Sequence, residues 1–336
     1  MHNNNVSKLI SICIPSYNRG HRALDLVIRL QGMDCIRQNS NIEIIVSDNG
    51  STEHTAEYDE IRSMTDDTLV YNRFETNRNF YGNFNTVVKM SRGQWCMLLS
   101  DEDTVDESEF ENVLELLESK SECGVIKAKT SKQYANYTMP EGCHGSAGYD
   151  ALRSFFLMGN YISGTIYNRK YVTNELIDGL CGLYEGNEGY FHYPHLFVEG
   201  FVLNLSDFYY YDRCFIIEGE PEKNQPLSQT IDTLPAWSSW ESRVAQLEGY
   251  LRLIRDLQPD RKTTDMMFRV AVWRTVNLIA LVKEAYVLKG MDWPQVCESS
   301  GNRILEVVSR CGIAAVNEAM LDYLQICAQM IKTEML

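Results

Sequence analysis

Three short polar segments in the first third of the chain each follow an apolar run, and their side chains could bind an anionic ligand and a cation. They are residues 15–19, the segment around Asp48, and residues 101–103, which read Asp-Glu-Asp. Two carboxylates one residue apart can hold Mg²⁺ or Mn²⁺ while the ion keeps waters and bridges phosphates. A carboxylate such as Asp48 can accept a hydrogen bond from a base or a ribose hydroxyl. These residue types indicate a site for a nucleotide and a divalent cation, although each segment alone also fits a helix cap or a solvated turn.

Short apolar runs predict the strands that position these segments. Strands are predicted at residues 9–14, 42–46, 69–74 and 95–99, and helical spacing of apolar residues between them predicts helices at 21–33, 52–64 and 79–92. Strands that are apolar throughout are typical of a parallel sheet covered by helices on both faces. Ligands of such sheets bind at the carboxyl ends of the strands, so we expect the three polar segments to meet in one crevice.

The rest of the chain divides at a polar, proline-containing stretch. After a predicted helix at 107–120, further elements follow: a strand near 124–129, a loop at 133–148, a helix at 149–158, a strand at 162–168, a loop at 179–188, an amphipathic stretch at 192–205 and a strand at 209–217. Helical periodicity then predicts helices at 237–257, 263–288, 293–310 and 313–334. We therefore predict an N-terminal α/β domain at 1–220, a linker or flap at 221–235 and a helical domain at 236–336.

Composition excludes several classes of protein. The 336 residues include 46 acidic and 31 basic side chains, and the net charge of -15 argues against nucleic acid as a partner. No apolar run is long enough to span a bilayer and the N-terminus is polar, so we expect a cytoplasmic protein. The ten cysteines form no C-x-x-C pair, which favours reduced thiols.

Four motifs, taken in order, resemble the nucleotide-binding half of family 2 glycosyltransferases of the GT-A fold, such as those of bacterial cell-surface polysaccharides. The motifs are SICIPSYNR at 11–19, EIIVSDNGST at 43–52, NRNFYGN at 77–83 and GQWCMLLSDED at 93–103. The resemblance implies an α/β, Rossmann-like and mostly parallel sheet flanked by helices, with a C-terminal helical region.

The resemblance also implies roles for individual residues. The nucleotide-sugar site would comprise Pro15, Ser16, Tyr17 and Arg19 along the nucleoside, Asp48 at the base, Arg78 or Asn79 at the start of a helix, and Asp101 with Glu102. Asp101 and Asp103 would reach the ribose and a Mn²⁺ or Mg²⁺ ion, with Asp103 favoured as the direct ligand.

The general base is left open between three residues. Many relatives carry a Glu-Asp pair on a helix of the acceptor half, and this chain has no such pair there. Glu188, His192 and His195 lie near the expected place, and each could take a proton from a hydroxyl near neutral pH.

The predicted function is inverting transfer of a sugar from a nucleoside diphosphate sugar, UDP by default, to a hydroxyl of a glycan or a lipid-linked saccharide. Two alternatives are a non-catalytic glycan-binding or scaffolding protein on the same fold, and a sugar-nucleotide nucleotidyltransferase. The nucleotidyltransferase would need a glycine-rich basic loop after the first strand, where only Arg19, Gly20 and Arg22 occur. The C-terminal helices could buttress the catalytic domain, join two copies of the chain, or contact the inner face of the membrane through residues such as Trp273 and Lys283.

Overall fold

The computed structural model describes residues 8–132, 142–159, 161–220 and 238–313. Its strands are β1 (Ile10–Ser16), β2 (Ile42–Asp48), β3 (Leu69–Arg73), β4 (Trp95–Leu98), β5 (Thr104–Val105), β6 (Cys123–Thr130), β7 (His144–Gly145), β8 (Thr165–Asn168) and β9 (Asp207–Ile217). Its helices are α1 (Gly20–Gly32), α2 (Asp34–Arg37), α3 (Thr55–Ser63), α4 (Asn79–Met90), α5 (Glu107–Ser119), α6 (Tyr149–Phe155), α7 (Asn174–Leu183), α8 (Glu188–His192), α9 (Pro194–Leu203), α10 (Trp240–Leu257), α11 (Arg261–Ala280), α12 (Lys283–Leu288) and α13 (Trp293–Arg310). Most of the predicted 133–148 loop, the 221–235 linker and nearly all of the last predicted helix lie outside the described residues.

One sheet holds all nine of these strands, and its two halves differ in strand direction. The order is β3-β2-β1-β4-β8-β6-β9-β5, with β7 paired to β9. The first four strands are parallel, as the buried apolar runs predict. Beyond them β8 runs antiparallel to both β4 and β6, whereas β9 runs parallel to β6. The parallel half therefore presents the carboxyl ends of β1, β2 and β4 along one edge.

β1 is buried on both faces because helices cover each side of the sheet. Ile12 joins one core cluster with Val27 of α1. Cys13, whose side chain points to the opposite face, joins a second cluster with Phe84 and Val87 of α4. Packing on both sides holds β1 in place, and with it the polar loop that follows its carboxyl end.

The C-terminal helices extend one of these two cores. Leu247 of α10 and Phe268 of α11 belong to the same buried cluster as Phe197 and Val198 of α9. Within the described chain no helix is both long and apolar enough to cross a bilayer. Several large apolar side chains of α11, α12 and the turns beside them are exposed, namely Trp273, Leu281, Val287, Leu288 and Met291. Contact of this surface with a membrane or a second copy remains a prediction.

Three predicted segments differ from the observed helices. α7 extends into the predicted 179–188 loop because Thr173 caps it and Leu180 is buried, which outweighs the glycines there. The predicted stretch at 192–205 splits at Tyr193, since a residue before proline is disfavoured in the helical conformation and Pro194 begins α9. The predicted helix at 263–288 is divided in two, because α11 ends at Ala280 beside the exposed Leu281 and α12 begins at Lys283.

Candidate active site

The structure brings the polar ends of β1, β2 and β4 together. Ser16 and Asp48 are register partners at the last paired position of β1 and β2. The Ser16 hydroxyl donates a hydrogen bond of 2.6 Å to Asp101 Oδ2, which links this pair to the turn after β4. The backbone N–H of Asn49 adds a 2.9 Å bond to the Ser16 carbonyl. The predicted convergence of three strand ends is therefore present, with Asp103 two residues beyond Asp101.

Asp48 is fully buried and both of its carboxylate oxygens are held. Oδ1 accepts from the backbone N–H of Ser51 at 2.9 Å. Oδ2 accepts from the hydroxyl of Tyr71 at 3.2 Å and lies 3.3 Å from Arg73 Nε, both on the neighbouring strand β3. Burial and the carboxylate together raise the pKa of Tyr71 well above its ordinary value, so this phenol stays a donor. The charge of Asp48 is thus fixed in place at the end of β2.

Asp101 is a buried carboxylate beside a cation. It is 2% exposed, and its Oδ1 lies 3.2 Å from Arg19 Nη1 without a well-aligned hydrogen bond. Burial raises the pKa of Asp101 to about 6, and the opposing effects of Arg19 and of the Ser16 hydroxyl are smaller. Ser16 is itself held by the Tyr58 hydroxyl at 2.5 Å. The Asp101 carboxylate therefore has one oxygen that accepts a hydrogen bond and one buried oxygen that lies against Arg19 without one.

Glu102 faces the start of α1 and not the strand ends. Its Oε2 lies 3.0 Å from Arg19 Nη1 and 3.6 Å from Arg22 Nη1. Burial raises its pKa, and Arg19 is the largest opposing influence. The two arginines therefore offset part of the negative charge of the acidic triplet on this side.

Asp103 receives hydrogen bonds from two segments distant in sequence. The hydroxyls of Tyr161 and Ser163 each donate to Oδ2 at 2.5 Å, and the backbone N–H of Gly219 donates to Oδ1 at 3.0 Å. The side chain is 3% exposed in total. Burial and the bond to Asp103 raise the pKa of Tyr161 well above its ordinary value, so it too remains protonated.

Asp101 and Asp103 fit a divalent cation that takes water and substrate oxygens as its remaining ligands. Across the described ranges there is no group of three or more histidine, cysteine, aspartate or glutamate side chains placed to hold a metal. Mg²⁺ commonly needs only one or two carboxylates besides water and substrate phosphates. Asp101 Oδ1 is a buried oxygen without a hydrogen bond, and Asp103 uses three of roughly four acceptor positions that a carboxylate offers. The donor set is therefore compatible with Mn²⁺ or Mg²⁺.

The predicted nucleoside loop is tied to the turn after β2. Asn18, at a φ of 56°, accepts from the backbone N–H of Thr52 at 2.9 Å, and its own N–H donates to the Ser51 hydroxyl at 2.7 Å. Pro15 is buried in β1, whereas Tyr17 is 38% exposed at the edge of the loop. The ring of Tyr17 is therefore accessible to a ligand.

Arg78 and Asn79 also reach this edge. The Asn49 amide accepts from the Arg78 N–H at 2.9 Å and donates to the Asn79 carbonyl at 3.0 Å. Gly50, at a φ of 73°, allows the close approach, because a Cβ there would lie 2.6 Å from the carbonyl carbon of Thr76. The beginning of α4 is therefore anchored beside Asp48, and the nucleotide contact of Arg78 or Asn79 stays a prediction.

The three candidate bases lie in different surroundings. His195 is 2% exposed, and its ring centroid is 6.0 Å from that of Phe80, 6.2 Å from that of Phe84 and 6.0 Å from that of Tyr193. Burial and, to a smaller extent, the charge of Arg274 lower the pKa of His195 to about 3. This histidine is a neutral residue of the core beneath the first turn of α4.

His192 and Glu188 form a pair on α8. The distance from His192 Nε2 to Glu188 Oε1 is 3.0 Å, and the Ser242 hydroxyl donates to the same oxygen at 3.2 Å. The His192 side chain keeps 19% of its surface exposed. An imidazole oriented by a carboxylate and open to solvent has the features of a proton acceptor.

Several residues that shape the site were missed by the sequence analysis. Tyr71 and Arg73 lie two residues apart and therefore on the same face of β3. Arg73 is also the register partner of Asp48, so the period-two pattern of the strand could have identified both residues. Tyr161 and Ser163 contact Asp103 across 58 and 60 residues of chain, and no local pattern marks them.

A parallel sheet half with carboxylates gathered at its strand ends, joined to a mixed half and a helical region, defines a GT-A glycosyltransferase fold. The sequence model of the family described as "Glycosyl transferase family 2" matches residues 11–176, about half of the chain. The protein belongs to this family.

Two curated relatives match part of the chain. Abequosyltransferase RfbV of Salmonella typhimurium is 29% identical over 115 residues, which are 34% of this chain and 34% of RfbV. Glycosyltransferase GlyG of Streptococcus pneumoniae serotype 4 is 26% identical over 138 residues, which are 41% of this chain and 42% of GlyG. The chain therefore spans well under half of the length of these relatives.

Among solved structures, S. aureus TarS 1-349 in complex with UDP-GlcNAc is similar to the whole chain. The TM-score is 0.67, and the match covers 97% of this chain and 88% of TarS at 16% sequence identity. The same region of TarS in complex with UDP gives a TM-score of 0.63. This likeness shows that the fold is shared, including the C-terminal helices.

Proposed function

We propose that the protein transfers a glycosyl unit from a nucleoside diphosphate sugar to a hydroxyl of a glycan or a lipid-linked saccharide during surface polysaccharide synthesis. The observation that carries the proposal is the meeting of Asp48, Asp101 and Asp103 at one edge of the sheet, within the region that matches the family. The RfbV and GlyG similarities support a glycosyltransferase activity. TarS crystallised with UDP-GlcNAc, which makes UDP the first nucleotide to test.

The donor is held by the residues at the strand ends. Asp48 accepts a hydrogen bond from the base, with its charge fixed by Tyr71 and Arg73. Asp101 reaches the ribose, and Asp101 and Asp103 would hold Mn²⁺ or Mg²⁺. An ion held there would neutralise charge on the diphosphate leaving group.

His192 is the favoured general base. The imidazole removes the proton from the acceptor hydroxyl, and the acceptor oxygen attacks the anomeric carbon from the side opposite the diphosphate, so the configuration inverts. Glu188 orients the ring and stabilises the imidazolium that forms. His195 is excluded from this role in the proposal because it is buried among aromatic rings and its pKa is far below neutral.

Binding measurements test the proposal directly. Wild-type protein is screened by thermal shift against UDP-, GDP-, dTDP- and CDP-sugars with and without Mn²⁺, since a ligand that binds only the folded state raises the apparent melting temperature. We expect one nucleotide to stabilise the protein in a Mn²⁺-dependent manner, and Asp103→Asn to lose most of that dependence. Asp178→Asn, an exposed carboxylate of α7, is the matched control.

The screen also separates the alternatives. Absence of binding by every nucleotide would overturn the transferase proposal and favour a non-catalytic glycan-binding protein. Nucleoside triphosphates are added to the same screen, and their binding, with release of pyrophosphate on addition of a sugar 1-phosphate, would instead indicate a nucleotidyltransferase.

A further inference from the structure

Lys127 of β6 is a buried cation whose three donors are all used within one short segment. Its Nζ donates to the Tyr161 carbonyl at 2.6 Å, to the Ser163 carbonyl at 2.7 Å and to the Thr165 hydroxyl at 3.2 Å. The residue is 9% exposed. An ammonium group has three N–H donors, so these contacts saturate it.

The two carbonyls that Lys127 holds belong to the two residues whose hydroxyls hold Asp103. Tyr161 and Ser163 each donate to Asp103 Oδ2 at 2.5 Å. The ammonium therefore fixes the backbone at the two positions from which the side chains converge on one carboxylate oxygen. Lys127 thus contacts the backbone of the segment, and Asp103 contacts its side chains.

The same segment is attached to the end of β4. The Ser163 hydroxyl accepts from the backbone N–H of Ser100, the residue before Asp101, at 2.9 Å. The backbone N–H of Gly164 donates to the Leu98 carbonyl at 2.9 Å, and Gly164 has a φ of 75° that favours glycine. These two bonds constrain the C-terminal end of the segment, and the contact of Lys127 with the Tyr161 carbonyl constrains the other end.

Burial of an ammonium group is unfavourable, and an apolar side chain of similar length would fill the same position in β6 without that cost. The lysine here exchanges its hydration for contacts with the Tyr161 and Ser163 backbone. A role in the geometry of the 161–163 segment accounts for a cation at this position better than packing does.

We propose that Lys127 is a positioning residue of the donor site: it fixes Tyr161 and Ser163 so that their hydroxyls orient Asp103 toward the diphosphate of the donor. This inference rests on the proposed function, because it assigns a task to Asp103. In this role Lys127 acts through Tyr161 and Ser163 and would not itself contact the donor or the ion.

A double-mutant cycle tests the inference through binding affinity. Lys127→Met, Ser163→Ala and the double variant are compared with wild type by calorimetry, with UDP and Mn²⁺ as the probe unless the screen above selects another diphosphate. We expect each single variant to weaken binding about tenfold. Because both act through the orientation of Asp103, the double variant should also be about tenfold weaker and not a hundredfold.

Two further variants keep the test decisive. Lys127→Arg retains the charge but presents a planar fork, so it should fold and still lose part of the affinity. It replaces Lys127→Met in the cycle if the methionine variant does not fold. Lys170→Met removes an exposed lysine paired with Glu122 and should leave the dissociation constant unchanged.

The outcomes separate the two levels of the argument. Multiplicative losses in the cycle, or wild-type affinity in a folded Lys127 variant, would overturn the positioning role while leaving the proposed function intact. Failure of the wild type to bind any nucleoside diphosphate would overturn the proposed function, and the role of Lys127 with it.

Discussion

Glu199→Gln should stabilise the protein near neutral pH. Glu199 of α9 is fully buried, and its Oε1 accepts from the Tyr167 hydroxyl at 3.2 Å. Gly159 packs directly on the carboxyl group, since a Cβ there would lie 2.7 Å from both oxygens. Burial raises the pKa of Glu199 to about 8, against smaller opposing effects of Lys127 and Tyr167. The folded protein therefore keeps this side chain protonated at neutral pH.

The sign and size follow from proton binding. The folded pKa of about 8 lies above the ordinary value of 4.5, so between these pH values the folded state binds a proton that the unfolded state has released. Stability consequently falls as the pH rises through this window. At 1.36 kcal/mol per pH unit, the loss reaches about 3 kcal/mol near pH 7. Glutamine imitates the protonated acid, so the variant should gain about this free energy of unfolding near pH 7 and almost none near pH 4.

Urea denaturation of both proteins across about pH 4 to 8 measures the effect. Glu118→Gln, on the exposed face of α5, is the control and should leave the pH dependence unchanged. The reasoning fails if Glu199→Gln is less stable than wild type near pH 7. That result would mean that Glu199 is ionised beside Lys127, because breaking a buried ion pair costs about 3 to 5 kcal/mol.

Three further predictions concern the site and one helix. Asp48→Asn should weaken nucleotide binding about tenfold or more by calorimetry, because a hydrogen bond to a charge is lost, and unchanged affinity would contradict its role at the base. His192→Ala should lower kcat by about 10²- to 10⁴-fold, whereas His195→Leu should lower it far less, and the reverse order in a glycosyl-transfer assay would remove His192 as the base. Thr173→Ala should cost about 1 kcal/mol in chemical denaturation, since Thr173 caps α7, and a neutral result would show that the cap contributes little.

The parallel half of the fold could be predicted from the sequence, because the patterns that identify its strands are local. Apolar β-branched runs identify β1 and β2, and the strand-end rule then places Asp48 and Asp101 in one crevice. The direction of β8 relative to β4 depends on pairing between distant segments, which no periodicity reports. The contacts of Asp103 also join segments that are distant in sequence, so no local pattern predicts them.

The helical spacing of apolar residues predicts which face of a helix is buried better than it predicts where the helix ends. It does not predict the chemical role of a side chain on that helix. The sequence predicts a loop at 179–188, yet the buried Ile177 and Leu180 carry α7 to Leu183. The residue type of His195 suggested proton transfer, but its position in α9 turns it toward Phe80 and Phe84. A side chain's surroundings decide its pKa, and those surroundings come from the tertiary structure.

The three groups that hold Asp103 have a consequence for the order of folding. They lie 58, 60 and 116 residues further along the chain, so each bond closes a long loop. Contacts between residues so far apart in the sequence form slowly, because the entropy of loop closure is lost before the contact compensates for it. A nascent chain that has completed β1 through β4 still lacks every one of these donors, and the acidic turn acquires its final geometry only after β9 has been synthesised and paired.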